Sequence, residues 1–238
     1  VRKVRARLFS DPWFVVGIFI FVLGFRIAYS ITLDISVDTI SRWYLPTIVA
    51  RTGSWDLLLS NIWSSRWGLT VPQVAISYLT LGRVEGYYIL PLFSFSLATT
   101  LTCIVLKKYA GVRQSLVFAF AVLVSVNPTI AAWSSQLCEY PIGYLYVISS
   151  IYFFLRYLEN NHSRNLVACF VFAFLAYATQ LLFIAFLIPP LVVLLLKCRY
   201  RSALLGLITL TVLFSIEFLG FFLLSDGERL AGRFSGIA

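Results

Sequence analysis

The chain of 238 residues is 60% hydrophobic and only 12% charged, with a mean hydropathy of +0.89. Soluble domains run near ~45–50% apolar and ~25% charged, and here the excess is gathered into long runs, so a water-soluble globule is excluded. The net charge of +9 is split among short segments between those runs, which excludes a nucleic-acid surface and marks membrane topology instead.

A helix needs about 20 apolar residues to cross the ~30 Å hydrocarbon core. Spanning segments must pair every backbone polar group internally, so they are helices or a closed barrel. Barrel strands alternate apolar and polar residues; these runs are solidly apolar, so the expected fold is all-α, a polytopic transmembrane bundle of about seven spans. The start, VRKVRARLFS, leads into a long apolar run without a small-residue cleavage site, and reads as an uncleaved first helix rather than a signal peptide. Spans are expected near 13–33, 84–106, 114–134, 142–157, 166–179, 181–196 and 202–224. The fifth and sixth are one apolar stretch too long for a straight span, and are read as two short helices turning near Gln180 into a hairpin. The chain begins with Val1, has no Met and ends in a polar segment, Ser225 to Ala238. It is therefore expected to be one membrane-embedded domain, truncated at its C-terminus.

Residues 34–83 form the one large segment between spans. Ser54 can cap a helix start, and Trp55, Leu58, Leu59, Ile62 and Trp63 then form a one-sided apolar stripe. Trp-rich amphipathic helices beside a membrane lie in the interface plane, so Trp55 to Ser64 is expected as such a helix. A second is expected over 39–52, kinked at Pro46 and ended by Gly53, and a third from Pro72 to Leu81. Together they would form a lid over one mouth of the bundle.

Twelve cations mark one side: Arg2, Lys3, Arg5, Arg7, Lys107, Lys108, Arg113, Arg156, Arg164, Lys197, Arg199 and Arg201. Cytoplasmic loops carry the excess of Lys and Arg, so the N-terminus is expected in the cytoplasm and 34–83 outside. Cys103, Cys138, Cys169 and Cys198 show neither metal spacing nor a disulfide framework and read as packing residues. His162 sits in a polar loop, ENNHSRN, and reads as solvated.

Among ten acidic residues, Asp34, Asp38, Glu85 and Glu139 fall at the external surface, where a carboxylate can serve as a general base. Asp38 also suits a helix cap paired with Arg42 at i,i+4, Glu139 an ordinary loop charge, and Glu85 a boundary residue. Glu217 lies inside the last span, where charges are costly and often functional; it also reads as a buried acid bonded to a neighbouring helix. External Arg42, Arg66 and Arg83 can hold a phosphate bidentately, or equally bind lipid headgroups. No P-loop, GxGxxG, HExxH or Ser-His-Asp pattern is present, so ATP-driven and redox chemistry have no support.

The order of these features resembles a known family. A basic start and one span lead to DTISRWYLPTIVARTGSW, then SRWGLTVPQVAISYLTLGRVEGYYILP, then KKYAGVR and a span ending NPTIAAWSSQLCEYP. Over roughly residues 10–225 this is similar to polytopic glycosyltransferases of the C-type fold, within the group of protein mannosyltransferases, aminoarabinose transferases and rhizobial lipopolysaccharide sugar transferases. The resemblance implies a polyprenyl-phosphate sugar donor, a glycan, lipid or protein acceptor, inversion at the anomeric carbon, and transfer at the external face of a bacterial plasma (inner) membrane. It places the family's first-loop acid at Asp38 and its second-loop acid at Glu139. The family's Asp-Glu pair is here a single Asp followed by Thr39-Ile40, which leaves Asp34 as a substitute. The phosphate leaving group needs Arg66, Arg83, Arg42 or a divalent cation as its charge grows. Competing expectations are a polymerase or ligase of lipid-linked polysaccharide and a polytopic transporter or flippase.

Overall fold

A computed structural model describes residues 12–29, 37–59 and 66–225. Among the described residues every regular element is helical: α1 (Pro12–Ala28), α2 (Val37–Thr52), α3 (Asp56–Leu59), α4 (Trp67–Leu79), α5 (Gly86–Lys108), α6 (Gln114–Val126), α7 (Pro128–Ser135), α8 (Glu139–Asn160), α9 (Ser163–Thr179), a 3-10 segment (Leu181–Leu187), α10 (Ile188–Leu196) and α11 (Tyr200–Ser225).

Among the described residues two helices are by themselves long and apolar enough to cross a membrane, α5 and the stretch Tyr200–Gly220 of α11; the bent pair α6 and α7, counted as one, makes three. Helices occupy all seven expected positions, but the other four lack span length or hydropathy. α1 and α9 have 17 residues each, a reach of ~26 Å at 1.5 Å per residue. α8 has 22 residues but dilutes its apolar run with Tyr, Ser and terminal charges. The expected straight span 114–134 bends by 72°. Asn127 causes this: its backbone is extended, its side chain accepts from the Ile130 N–H at 3.1 Å, and Pro128 starts the next helix. That is an N-cap followed by proline at N1, a signal for a new helix.

The turn expected near Gln180 is present. Gln180 is extended and ends α9, and Arg199 Nη1 donates to Asn161 Oδ1 at 2.6 Å. The start of α9 and the end of α10 therefore lie at the same end of the bundle. Lys108 Nζ meets Glu159 Oε2 there at 2.7 Å, and Lys107 stands 4.2 Å from the Phe14 ring. The start of α1 and the cation-bearing ends of α5, α8 and α11 thus gather at one end. The hydrogen bond from Lys108 holds the Glu159 carboxyl below its usual range.

The core divides into packed patches. Ile18 and Val22 of α1 meet Phe95 and Cys103 of α5 and Val117 and Ala121 of α6. Phe170, Phe174 and Tyr177 of α9 pack with Leu194 of α10 and Leu210 of α11. At the end away from the lysines, α2 and α4 fold over the starts of α5 and α8. Val49, Leu58 and Val74 join α2, α3 and α4. The helix expected over 39–52 is α2, with Pro46 inside and Gly53 at φ +71° beyond it. Of the helix expected over 55–64 the structure describes the single turn Asp56–Leu59, and residues 60–65 lie outside the described residues. The helix expected from Pro72 begins earlier, at Trp67.

Pro72 explains one contact. It has no N–H for the carbonyl four residues back, and that carbonyl, of Gly68, accepts instead from the Tyr146 hydroxyl at 3.2 Å. Gly68 also lets α4 lie directly on α9: a Cβ there would stand 2.7 Å from the Leu175 carbonyl oxygen and 2.8 Å from the Thr179 nitrogen. Backbone cannot yield as a side chain does, so Gly68→Ala should destabilise the protein by about 1–3 kcal/mol, as overpacking does. Gly17→Ala, with nothing within 4 Å, should leave it unchanged or slightly stabilised. Thermal unfolding of the two variants in detergent micelles checks this; equal midpoints would contradict it.

Candidate functional site

Three segments converge where α2 and α4 cover the bundle. α2 carries Arg42, and it is fastened to the turn after α4. Arg51 Nη2 donates to the Gly82 carbonyl at 3.1 Å, and the Tyr78 hydroxyl donates to the Val49 carbonyl at 3.3 Å. Gly82, at φ +67°, could carry no side chain there, because its Cβ would fall 2.6 Å from Thr47 Cγ2. Arg66 immediately precedes α4 and is set in place by the close approach of Gly68 to α9. Glu139 opens α8 in its first turn, where the positive end of the helix dipole favours a carboxylate.

Arg42 Nη2 donates to Glu139 Oε1 at 2.9 Å, and Arg66 Nη1 reaches the same oxygen. The Glu139 side chain is only 4% exposed, against 12% for Arg42 and 33% for Arg66. The floor is apolar and aromatic: Trp43 packs against Leu69, Tyr87, Leu90, Leu137 and Ile142. Taking a carboxylate out of water costs several kcal/mol unless charged donors compensate, and two guanidinium groups on one oxygen provide that compensation. Two permanent cations against one acid leave a net positive charge at the site. Glu139 is thereby committed to holding two arginines side by side, with Arg66 the more open to an incoming group. Burial pushes the neighbouring Cys138 thiol above its ordinary range, although Arg42 opposes that shift. An unionised thiol is a poor nucleophile, so the packing role expected for Cys138 fits its place.

The structure thus joins Arg42, Arg66 and Glu139 and leaves Arg83 and Glu85 outside that cluster. Asp38 lies in α2 four residues before Arg42, a rise of ~6 Å. Asp34 lies outside the described residues. Arg83 is exposed in the turn between α4 and α5 and forms no ion pair among the described residues. Glu85 is exposed as well. Glu217, on α11, accepts from Trp67 Nε1 at 2.9 Å, so it is bonded to a neighbouring helix as expected and ties α11 to the residue after Arg66. Among the described residues no group of three His, Cys, Asp or Glu is placed to hold a metal ion.

One charged residue escaped the sequence reading. Arg26, in α1, is 0% exposed. Its Nη1 donates to Ser134 Oγ at 3.1 Å, and the guanidinium lies 5.4 Å and 5.9 Å from the Phe25 and Phe95 ring centres. Nε and Nη2 have no hydrogen-bond partner among the described residues. The signal was available: an arginine inside an apolar run costs about 2.5–3.5 kcal/mol on insertion scales and marks a functional position by default.

No protein-family model, curated protein or solved structure matches the chain. The geometry itself makes a prediction. Glu139→Gln leaves Arg42 and the half-buried Arg66 without the carboxylate they share and should lower stability by about 3–5 kcal/mol, as breaking a buried pair does. Arg83→Gln, on the surface, should stay within about 0.5 kcal/mol of the parent. Denaturation in micelles compares them; similar losses in both would contradict the assignment.

Proposed function

We propose that the chain is a membrane glycosyltransferase that moves a sugar from a polyprenyl-phosphate donor to a glycan, lipid or protein acceptor. The observation that carries this reading is the convergence of Arg42 and Arg66, from separate segments, on the buried Glu139. The cluster sits under a cover of short helices at one end of an apolar bundle. In this reading the chain crosses the membrane seven times, its shorter helices accommodated by local thinning of the bilayer and by snorkelling of the flanking Lys and Arg. The lysine-rich end faces the cytoplasm, so the cluster faces outward.

The chemistry follows from charge. A prenyl tail must remain in the bilayer, so its phosphate arrives at the interface, beside α2 and α4. The exposed apolar residues Trp55, Val71, Leu79 and Leu81 suit that boundary. Arg42 and Arg66, brought together on Glu139, bind the phosphate bidentately. Asp38, one helical turn before Arg42, takes the proton of the acceptor hydroxyl. The acceptor oxygen bonds to the anomeric carbon, the bond from that carbon to the phosphate oxygen breaks, and its electron pair leaves on the phosphate, where the arginines stabilise it. Attack opposite the leaving group inverts the anomeric centre. The covering helices exclude water, which would otherwise hydrolyse the donor.

The test uses the purified chain in liposomes with a radiolabelled polyprenyl-phosphate sugar. Asp38→Asn should keep the fold and reduce transfer ~10²–10⁴-fold, the usual general-base contribution. Arg66→Gln should reduce it ~10²–10³-fold, as loss of one electrostatic stabiliser does. Near-normal transfer by Asp38→Asn would sink the assignment of the base, and no sugar transfer by the parent chain would sink the reading as a whole.

A further inference from the structure

The bundle is hollow beside the start of α8, one residue beyond Glu139. A cavity of about 400 Å³ is lined by Phe95, Thr129, Ile130, Trp133, Tyr140 and Tyr144, with Ser134 in its wall. That volume is in the usual range for small-ligand sites. Its lining is almost wholly apolar, with Trp133 and Tyr140 stacked at 4.5 Å. Two of its wall residues, Phe95 and Ser134, contact Arg26: the guanidinium stands over the Phe95 ring and donates to the Ser134 hydroxyl. Arg26 is fully buried, and two of its donor nitrogens have no partner among the described residues. Arginine stays protonated in proteins, so it cannot escape the cost of burial by giving up its charge.

We infer that Arg26 and this aromatic cavity form a binding site for an anionic lipid, the phosphate on the guanidinium and the apolar chain along Phe95, Trp133 and Tyr144. The cavity lies at the 72° bend between α6 and α7, lined by Val124 of α6 and by Thr129, Ile130 and Trp133 of α7. Ser134 is the small residue between cavity and guanidinium. A phosphate that displaces its hydroxyl takes the Nη1 donor that Ser134 now holds, and a charge-assisted bond to an anion is stronger than one to a neutral hydroxyl. The site does not rest on the transferase reading, since it uses neither Arg42 nor Arg66.

Native mass spectrometry of the purified chain in micelles tests the inference with four probes: a prenyl phosphate, the matching prenyl alcohol, phosphatidylglycerol and diacylglycerol. Each phosphate should bind at least about tenfold tighter than its neutral counterpart, the worth of one charge-assisted contact. Whichever phosphate binds tighter identifies the source of the lipid, and either ranking supports the site. Arg26→Gln should abolish the preference for phosphate, Arg26→Lys should retain part of it, and Arg201→Gln, at the opposite end, should retain all of it. Ile130→Trp, which fills the cavity and spares Arg26, should weaken both phosphates and so decides the matter if Arg26→Gln does not fold. Equal binding of charged and neutral lipids would overturn the inference. So would a preference that survives Arg26→Gln but disappears in Arg66→Gln, or phosphate binding untouched by Ile130→Trp.

Discussion

The carboxylate of Glu139 is the point to which the rest of the site is fastened. It stands at the first turn of α8, nearly excluded from water, with one oxygen shared by guanidinium groups from α2 and from the residue before α4. The carboxylate is the indispensable member, because its removal leaves two neighbouring cations without their shared counter-charge, whereas loss of Arg66 leaves the pair with Arg42. The constraint therefore acts on segments far apart in sequence. It holds α2 and α4 against the bundle, and it draws two like charges into contact distance of one group. A pair of arginines so placed is a ready receptor for a tetrahedral anion.

The surrounding packing is arranged to keep those partners in register. Gly68 permits α4 to rest on the backbone of α9, and Tyr146 supplies the hydrogen bond that Pro72 cannot. Trp67 reaches Glu217 on α11, so the last long helix is tied to the residue beside Arg66. Arg51 and Tyr78 close the pair α2 and α4 on itself. At the far end, Lys108 with Glu159 and Arg199 with Asn161 join the other helix termini. Charges occupy both ends of an apolar body, as expected where the middle lies in lipid and the ends in water. Two described charges depart from this: Glu217 within α11, and Arg26, a buried cation in the first helix beside the Phe25 and Phe95 rings.

Much of the helical order was legible in the sequence, for identifiable reasons. Long apolar runs flanked by Lys and Arg announce helices and their ends, and Gly53 marks the end of α2 as a left-handed residue should. The break at Asn127-Pro128 was legible too, as a cap followed by proline, but the apolar run around it masked the signal and suggested a straight span. Span number is less legible. Helix length against bilayer thickness singles out α5 and α11 with or without the bent pair, whereas apolar runs alone suggested seven.

The site was legible residue by residue but not as a constellation. Arg42, Arg66 and Glu139 could each be singled out as scarce charges in an apolar chain. Nothing in local spacing says that Arg42 meets a carboxylate 97 residues away, or that Arg83 stands apart. Long-range pairing is decided by how α2 and α4 fold back, which depends on glycines at 68 and 82 whose role is visible only in three dimensions. Arg26 went unread for the opposite reason: it sits inside a run whose other residues all call for a span.

A double-mutant cycle tests the central claim most directly. Unfolding free energies would be measured for the parent, Arg42→Gln, Glu139→Gln and the double variant in the same micelles. If the two side chains form a buried pair that holds α2 onto α8, the losses should fail to add by about 1–3 kcal/mol, as for residues in one ion-pair network. Additivity within about 0.5 kcal/mol, the behaviour of independent sites, would contradict the account.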